Sequence, residues 1–530
     1  MTLLHNPVIR GFAPDPSMVR VDDWFYVATS SFEWFPTIPL HRSRDLAHWE
    51  YAGHVESAVP GGSLAGVPDS GGIWAPSLSW DGERFWVVYS IVRSVGMPYF
   101  DADTYVCTAM EASGAWSAPR RIASHGFDPA LFHDAGGGLW LLNLQNDHRP
   151  GGRRFAGIVL TELDRKTLAP VGDTHLLLQH ERLVEGPKLV HRDGWFHLVL
   201  AEGGTGFEHG VLVARSREIT GPYELDDRPL LTSRDDPSLP LQKAGHGELV
   251  QLRDGSWVLS HLAARPLHTP DGPRCPLGRE TAIQAVTWNA EGRPRLRHGG
   301  SHPAVEVDVP TQPRPLEQLP AAEHPLGWPW STLRAAPDPS WADTAVRPGW
   351  IRLRGRHGPQ SRWAHSLLAQ RITEHRAEAE VSVEARPRTF TQAAGLVLWY
   401  DTESYLALDV TWAEPEGEEQ RGQQWRGGGR TVLSLVERDE GSTRQVALVD
   451  VGTESAFTLG VTVEDGVARF RYLGADGTWT PVGPGLDFTR LSDDHGSRLR
   501  FTGAMAGIHA VDLVDAAFTA DFTGFRLSCG

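Results

Sequence analysis

One pattern recurs five times in the first 265 residues and decides what this chain can fold into. A turn carrying Asp, most often Asp-Gly, is followed by an aromatic-rich run: VDDWFYVATS (21–30), WDGERFWVVYS (80–90), HDAGGGLWLLNL (133–144), RDGWFHLVL (192–200) and RDGSWVLSHL (253–262). The turn aspartates Asp22, Asp81, Asp134, Asp193 and Asp254 are spaced 59, 53, 59 and 61 residues apart. Turn residues flanked by β-branched and aromatic runs are hairpin signals, and helical periodicity is hard to find here. A repeat of about 55–60 residues holds one four-stranded sheet, the unit of a β-propeller. The repeats predict an all-β chain that begins with a five-bladed propeller.

A shorter motif precedes each hairpin at nearly constant offset: APDPS (13–17), WAPS (74–77), FDPA (127–130), EGPK (185–188) and GHGE (245–248). If each motif opens an innermost strand, Asp15, Trp74, Asp128, Glu185 and His246 meet at one mouth of the central channel. A single Asp-Pro step is ordinary turn chemistry. Three acids in register are different, because like charges gathered on one axis repel and raise one another's pKa. Two carboxyls flanking a bond are the minimum for acid/base cleavage of a glycoside. One stays protonated to donate to the leaving oxygen while the other is ionised to act on water or the anomeric carbon. A third can hold up the pKa of the acid and orient it. Asp15, Asp128 and Glu185 are the candidates, and spacing alone does not allot the roles.

Charge and composition remove other classes. Lys plus Arg is 50 against 66 for Asp plus Glu, a formal net charge of −16. That balance argues against a nucleic-acid binder and against attachment to anionic lipid. No run approaches the roughly 18 apolar residues of a membrane span. The start, MTLLHNPVIRGFAPDPS, has neither the basic nor the apolar region of a secretory leader, and Cys107, Cys275 and Cys529 are too few and scattered for a disulfide framework or a zinc cluster. A soluble, cytoplasmic protein is the expectation, with a homo-oligomer left open. P-loop, Rossmann and HExxH motifs are absent, and GGT (203–205) lacks the helix and lysine of a phosphate cradle.

The ordered motifs GFAPDPS (11–17), TSSFEWFP (29–36), GGIWAPSLS (71–79), FDPALFHD (127–134), VEGPKLV (184–190), AEGGTGFEHG (201–210), GPYE (221–224) and LGRET (277–281) resemble glycoside hydrolase family 43, specifically its two-domain β-xylosidases. The resemblance implies an inverting, five-bladed hydrolase with Asp15 as general base, Asp128 as the residue that tunes and orients the acid, and Glu185 as general acid. It places Arg279 on the hydroxyls of the non-reducing sugar, Phe32 and Trp74 in the wall of the sugar pocket, and His209 in support of the site. His246 matches a position where some relatives hold a histidine beside a water-ringed calcium; a neutral histidine satisfied within the channel is the alternative. No cofactor is required, and calcium in the channel stays open. Two departures stand out. Asn146-Asp147-His148-Arg149 replaces a run that commonly begins with Trp, and Lys188 stands where relatives often carry His.

Residues 1–302 are expected to form the propeller and 303–345, rich in proline, a linker. Period-two runs between 346 and 530 (WIRLRGR, RAEAEVSVEAR, AGLVLWYDTESYLALDV, TVLSLVE, GVARFRYLG, HAVDLVDAAFTADFTGFRLS) predict an antiparallel, jelly-roll-like β-sandwich. In relatives a loop of this domain, often bearing Phe, closes the pocket. FTGAMAG (501–507) looks like that loop, with Met505 in the place of the Phe, the alternative being sandwich core. The expected function is exo-acting release of xylose from short xylo-oligosaccharides. The rivals are an α-L-arabinofuranosidase on the same scaffold, a non-catalytic carbohydrate-binding propeller, and a retaining transferase.

Overall fold

The computed structural model describes residues 1–95, 99–314, 325–414 and 429–530. Among the described residues there is no α-helix, and no helix is long and apolar enough to cross a membrane. The chain forms two compact units, Met1–Pro266 with Arg279–Leu319 and Leu267–Gly278 with Pro320–Gly530.

All five turn aspartates of the repeats join the first two strands of a sheet in the first unit. The leading strands are Ser17–Val21, Gly72–Trp80, Gly126–His133, Val184–Arg192 and Gln242–Gln251, each paired antiparallel with the aromatic-rich strand that follows it. These leading strands touch one another in a closed ring, the fifth against the first, which is the radial arrangement of a β-propeller. Apolar side chains fill the spaces between sheets. Leu78, Phe85 and Tyr89 pack with Val19 and Tyr26 between the first two, and Trp86, Val88, Leu131 and Leu141 between the second and third. Thr2–His5 pairs with Glu306–Val309, so the stretch expected to be linker from 303 begins as a strand of the first unit. Residues 315–324 of that stretch lie outside the described residues.

The inner strands share a device that the repeats did not reveal. Asp15, Ala75, Asp128, Gly186 and His246 all have left-handed backbone, with φ of 54°, 37°, 52°, 56° and 51°. In the last four sheets the ladder register shifts across or directly beside this position, between Trp74 and Ser77, Phe127 and Ala130, Glu185 and Lys188, and Gly245 and Glu248. A bulge sets two residues against one and breaks strict alternation. This corrects the expectation of one equivalent position per repeat: Asp15, Asp128 and His246 occupy the left-handed site, whereas Trp74 and Glu185 stand one residue ahead of it. Left-handed backbone outside glycine costs of order 1–3 kcal/mol per residue and persists only where the surroundings over-determine it.

Gly72 is fixed by a close approach. Phe32 and Ile73 exchange backbone hydrogen bonds of 3.0 Å, Gly72 has φ of 84°, and a Cβ there would lie 2.2 Å from the Phe32 carbonyl oxygen. Gly72→Ala is expected to cost about 2–4 kcal/mol, read as a lower first transition in a melting curve and a loss of activity. An unchanged transition would sink the claim that this backbone contact anchors Phe32.

The second unit is a sandwich of two antiparallel sheets, as the alternation predicted. One includes Ile351–Arg354, Thr519–Cys529, Ala377–Ala385, Ala456–Glu464 and Val467–Leu473; the other includes Ser366–Arg371, Met505–Asp512, Gln392–Asp401, Ser404–Ala413, Arg430–Asp439 and Ser442–Asp450. In Ala377–Ala385 the odd positions are buried and the glutamates between them face outward, the period of two made visible. Leu396, Leu408, Leu433, Leu459, Phe470, Phe488 and Phe522 fill the core.

Twelve residues cut out of the fifth propeller sheet, Leu267–Gly278, also belong to this unit. They form a small hairpin, Leu267–Thr269 with Gly272–Arg274. The Cys275 N–H donates to Ser492 Oγ at 3.0 Å and Asp494 Oδ2 at 2.9 Å, and the Ala504 N–H donates to the Pro276 carbonyl at 2.8 Å.

Candidate active site

Each candidate carboxyl is delivered by an inner strand or, for Asp15, by the left-handed residue just ahead of one. Asp15 is 7 % exposed. Its Oδ1 accepts from Arg279 Nη1 at 2.8 Å and its Oδ2 from Ser30 Oγ at 2.6 Å, with His246 Nδ1 3.9 Å from Oδ1. Burial works to raise its pKa, but Arg279, His246 and the Ser30 hydroxyl together hold the carboxyl below the ordinary aspartate value. Asp128, equally buried, goes the other way. Burial and the nearby Glu185 and Asp15 push it well up, against the pull of Lys188 and the Gly186 N–H. Glu185 is only half-buried, and burial with the Asp15 charge pushes it up to about 7, with Arg279 opposing. The three acids act on one another as one cluster whose members differ in proton affinity, the condition for running acid and base roles side by side.

Arg279 ties this cluster together. It is 2 % exposed, and besides Asp15 it donates to Thr205 Oγ1 at 2.7 Å and lies 5.8 Å from the Phe32 ring centre. The neighbouring Glu280 anchors this segment by accepting from Arg265 Nε at 2.7 Å and Nη2 at 2.8 Å and from the Gly11 N–H at 2.6 Å. Arg279 lowers the pKa of both Asp15 and Glu185, so Arg279→Ala is expected to move both limbs of the kcat/KM pH profile upward. The acid limb should move by about one unit or more, alongside a loss in kcat/KM. Static limbs would show that the guanidinium serves packing alone.

Phe32 and Trp74 are both buried and meet edge to face with ring centres 6.2 Å apart. Phe127 and Phe100 extend this aromatic surface from Trp74, at 5.6 and 5.8 Å. His209 is 1 % exposed, its Nδ1 3.1 Å from the Glu202 carbonyl, and a Cβ on Gly245 would lie 1.8 Å from its ring, so glycine is required there. His246 packs over Gly186, whose Cβ would come within 2.9 Å of Cε1. Burial lowers His209 to about 3 and His246 to about 4, so both rings are neutral near pH 7.

Met505 opens a strand of the second unit, fully buried and paired with Arg371 and Trp399. Residues 505–507 are therefore sheet rather than loop. Thr502 and Gly503 pack against Gly278, where a Cβ would lie 2.7 Å from the Thr502 carbonyl oxygen. Asn146 ends the strand Leu139–Asn146, and neither atom of its side-chain amide has a hydrogen-bond partner in the protein. Two hydroxyls that hold the cluster escaped the sequence reading. Ser30 links Asp15 to the second inner strand by accepting from the Ala75 N–H at 2.8 Å, and Thr205 holds Arg279. Both lie inside the quoted motifs, but a hydroxyl offers no charge pattern to single it out.

Known proteins share this sequence and fold. Residues 4–294 match the family described as Glycosyl hydrolases family 43. The chain belongs to glycoside hydrolase family 43. Residues 322–528 of this family 43 chain match the Beta xylosidase C-terminal Concanavalin A-like domain. Among curated family relatives, the "Beta-xylosidase" of Bacillus subtilis (strain 168) is 36% identical over 541 residues, 98% of each chain. The "Xylosidase/arabinosidase 43B" of Humicola insolens is 37% identical over 537 residues, 99% of this chain and 97% of the other. Among solved structures, the xylan beta-1,4-xylosidase from Bacillus halodurans C-125 superimposes with a TM-score of 0.92 at 40% identity, over 99% of this chain and 100% of that one.

A divalent cation beside His246 does not suit the side chains present. Calcium takes 6–8 oxygen ligands, and the carboxylate beside this histidine, Asp15, is already engaged by Arg279 and Ser30.

Proposed function

We propose that this glycoside hydrolase is an exo-acting, inverting β-xylosidase that releases xylose from the non-reducing end of short xylo-oligosaccharides. Asp15 is the general base that draws a proton from the attacking water, Glu185 the general acid that protonates the departing oxygen, and Asp128 the carboxyl that tunes and orients Glu185. The observation that carries this reading is the split within one cluster: Asp15 is held ionised by Arg279 and Ser30 while Glu185 keeps its proton up to about pH 7. Two such groups supply the proton taken and the proton given in one displacement. Burial of Asp15, Asp128, Phe32 and Trp74 supports a closed pocket for a single sugar, hence exo action. The names of the relatives support xylose, and the xylosidase/arabinosidase among them keeps an α-L-arabinofuranoside as the second substrate to try. Three free cysteines suit the cytoplasm as site of action.

A proton NMR time course on xylobiose tests the reading, with anomeric signals followed before mutarotation mixes them. α-Xylose appearing first supports inversion; β-xylose first overturns the role given to Asp15. Absence of hydrolysis on both xylobiose and arabinofuranosides would favour a binding propeller.

A further inference from the structure

The interior of the propeller ring carries a buried cation that the proposed chemistry does not use. Lys188, 5 % exposed, extends from the fourth inner strand. Its Nζ donates to Ser77 Oγ of the second inner strand at 2.6 Å and to Ser17 Oγ of the first at 3.3 Å, and lies 3.8 Å from Glu248 Oε2 of the fifth. Glu248 in turn accepts from Ser17 Oγ at 2.7 Å and from the Met18 N–H at 3.0 Å. One ammonium thus joins four of the five inner strands. A buried lysine is expensive unless paired and hydrogen-bonded, and this one is both.

These oxygens are also the ones a metal ion in the ring would need, since calcium and magnesium take carboxylate and other hard oxygen donors. Here Ser17, Ser77 and Glu248 are committed to Lys188. A divalent ion beside His246 would also face the charges of Lys188 and Arg279, both of which already bear on that histidine.

We propose that the Lys188 ammonium is the fixed cation of the ring interior, standing in place of a divalent metal ion, and that it positions the carboxylate cluster electrostatically. The groups facing it are Asp15 just ahead of the first inner strand, Asp128 on the third, and His246 and Glu248 on the fifth. Glu185 precedes it by three residues on its own strand, and Arg279 and His209 complete the surroundings of Asp15. The ammonium bears on Glu248, Asp128 and Asp15, so its removal makes protons harder to take from the cluster.

The first test needs no substrate and no variant. Protein dialysed against calcium chloride, then against metal-free buffer, is expected to retain calcium far below one equivalent by elemental analysis and to melt at the same temperature in calcium as in EDTA. Stoichiometric calcium or chelator-sensitive melting would overturn the proposal. The second test rests on the glycosidase reading. Lys188→Met should move the acid limb of the kcat/KM profile upward by on the order of half a pH unit or more. Glu248→Gln, which frees the ammonium of its counter-charge, should move it downward. Opposite shifts support the positioning role; limbs that stay fixed in both variants, or that move together, overturn it. If Lys188→Met does not fold, Glu248→Gln decides alone by the direction of its shift.

Discussion

Replacing Glu185 with glutamine is expected to lower kcat/KM on xylobiose by roughly 10²–10⁴-fold, and far less on an aryl xyloside whose phenolate departs without a proton. The difference between the two substrates is the diagnostic quantity. Glutamine keeps the size of the side chain and removes the proton that burial and the neighbouring Asp15 charge hold there up to about pH 7. The basic limb of the kcat/KM profile, which reports the acid in the free enzyme, should vanish with it. Equal losses on both substrates would mean that Glu185 holds the sugar or the fold, and the role of acid would pass to Asp128.

Asp15→Asn is expected to cost a similar roughly 10²–10⁴-fold, but on both substrates alike, because water must be activated whichever group departs. A second readout separates this from simple damage. The Asp15 charge helps to raise the pKa of Glu185, so its loss should let Glu185 titrate below about 7. The carboxyl carbon of labelled glutamate, compared between Asp15→Asn and the double variant Asp15→Asn/Glu185→Gln, reports that titration. A Glu185 carbon that still titrates near 7 without the Asp15 charge would break the proposed coupling, whatever happened to the rate.

Much of this was legible in the chain because repeats leave a period and hairpins leave turn residues. Asp22, Asp81, Asp134, Asp193 and Asp254 each sit in the turn of a real hairpin, and strict alternation marked strands such as Ala377–Ala385. Position along the inner strands was less legible. Asp128 and Glu185 read as equivalents, yet one occupies the left-handed residue and the other precedes it; an inserted residue in a ladder has no signature beyond the Pro that follows it. Hydroxyls such as Ser30 and Thr205 escaped because their importance comes from what they touch. The Leu267–Gly278 excursion was invisible for a related reason. Its hairpin pattern is ordinary, and only long-range partners show which unit it joins.

That excursion has a consequence for the order in which the protein is made. The Cys275 N–H finds its acceptor Ser492 217 residues further along the chain. At about 5–20 residues per second, a ribosome needs roughly 10–40 s to reach that acceptor. All five leading strands and their hairpin partners have been synthesised by then, so the ring can close while a twelve-residue tongue from its last sheet still lacks its partners. A nascent chain halted before residue 492 presents that tongue as its unfinished edge, open to chaperone or protease. Completion of the second unit then withdraws it.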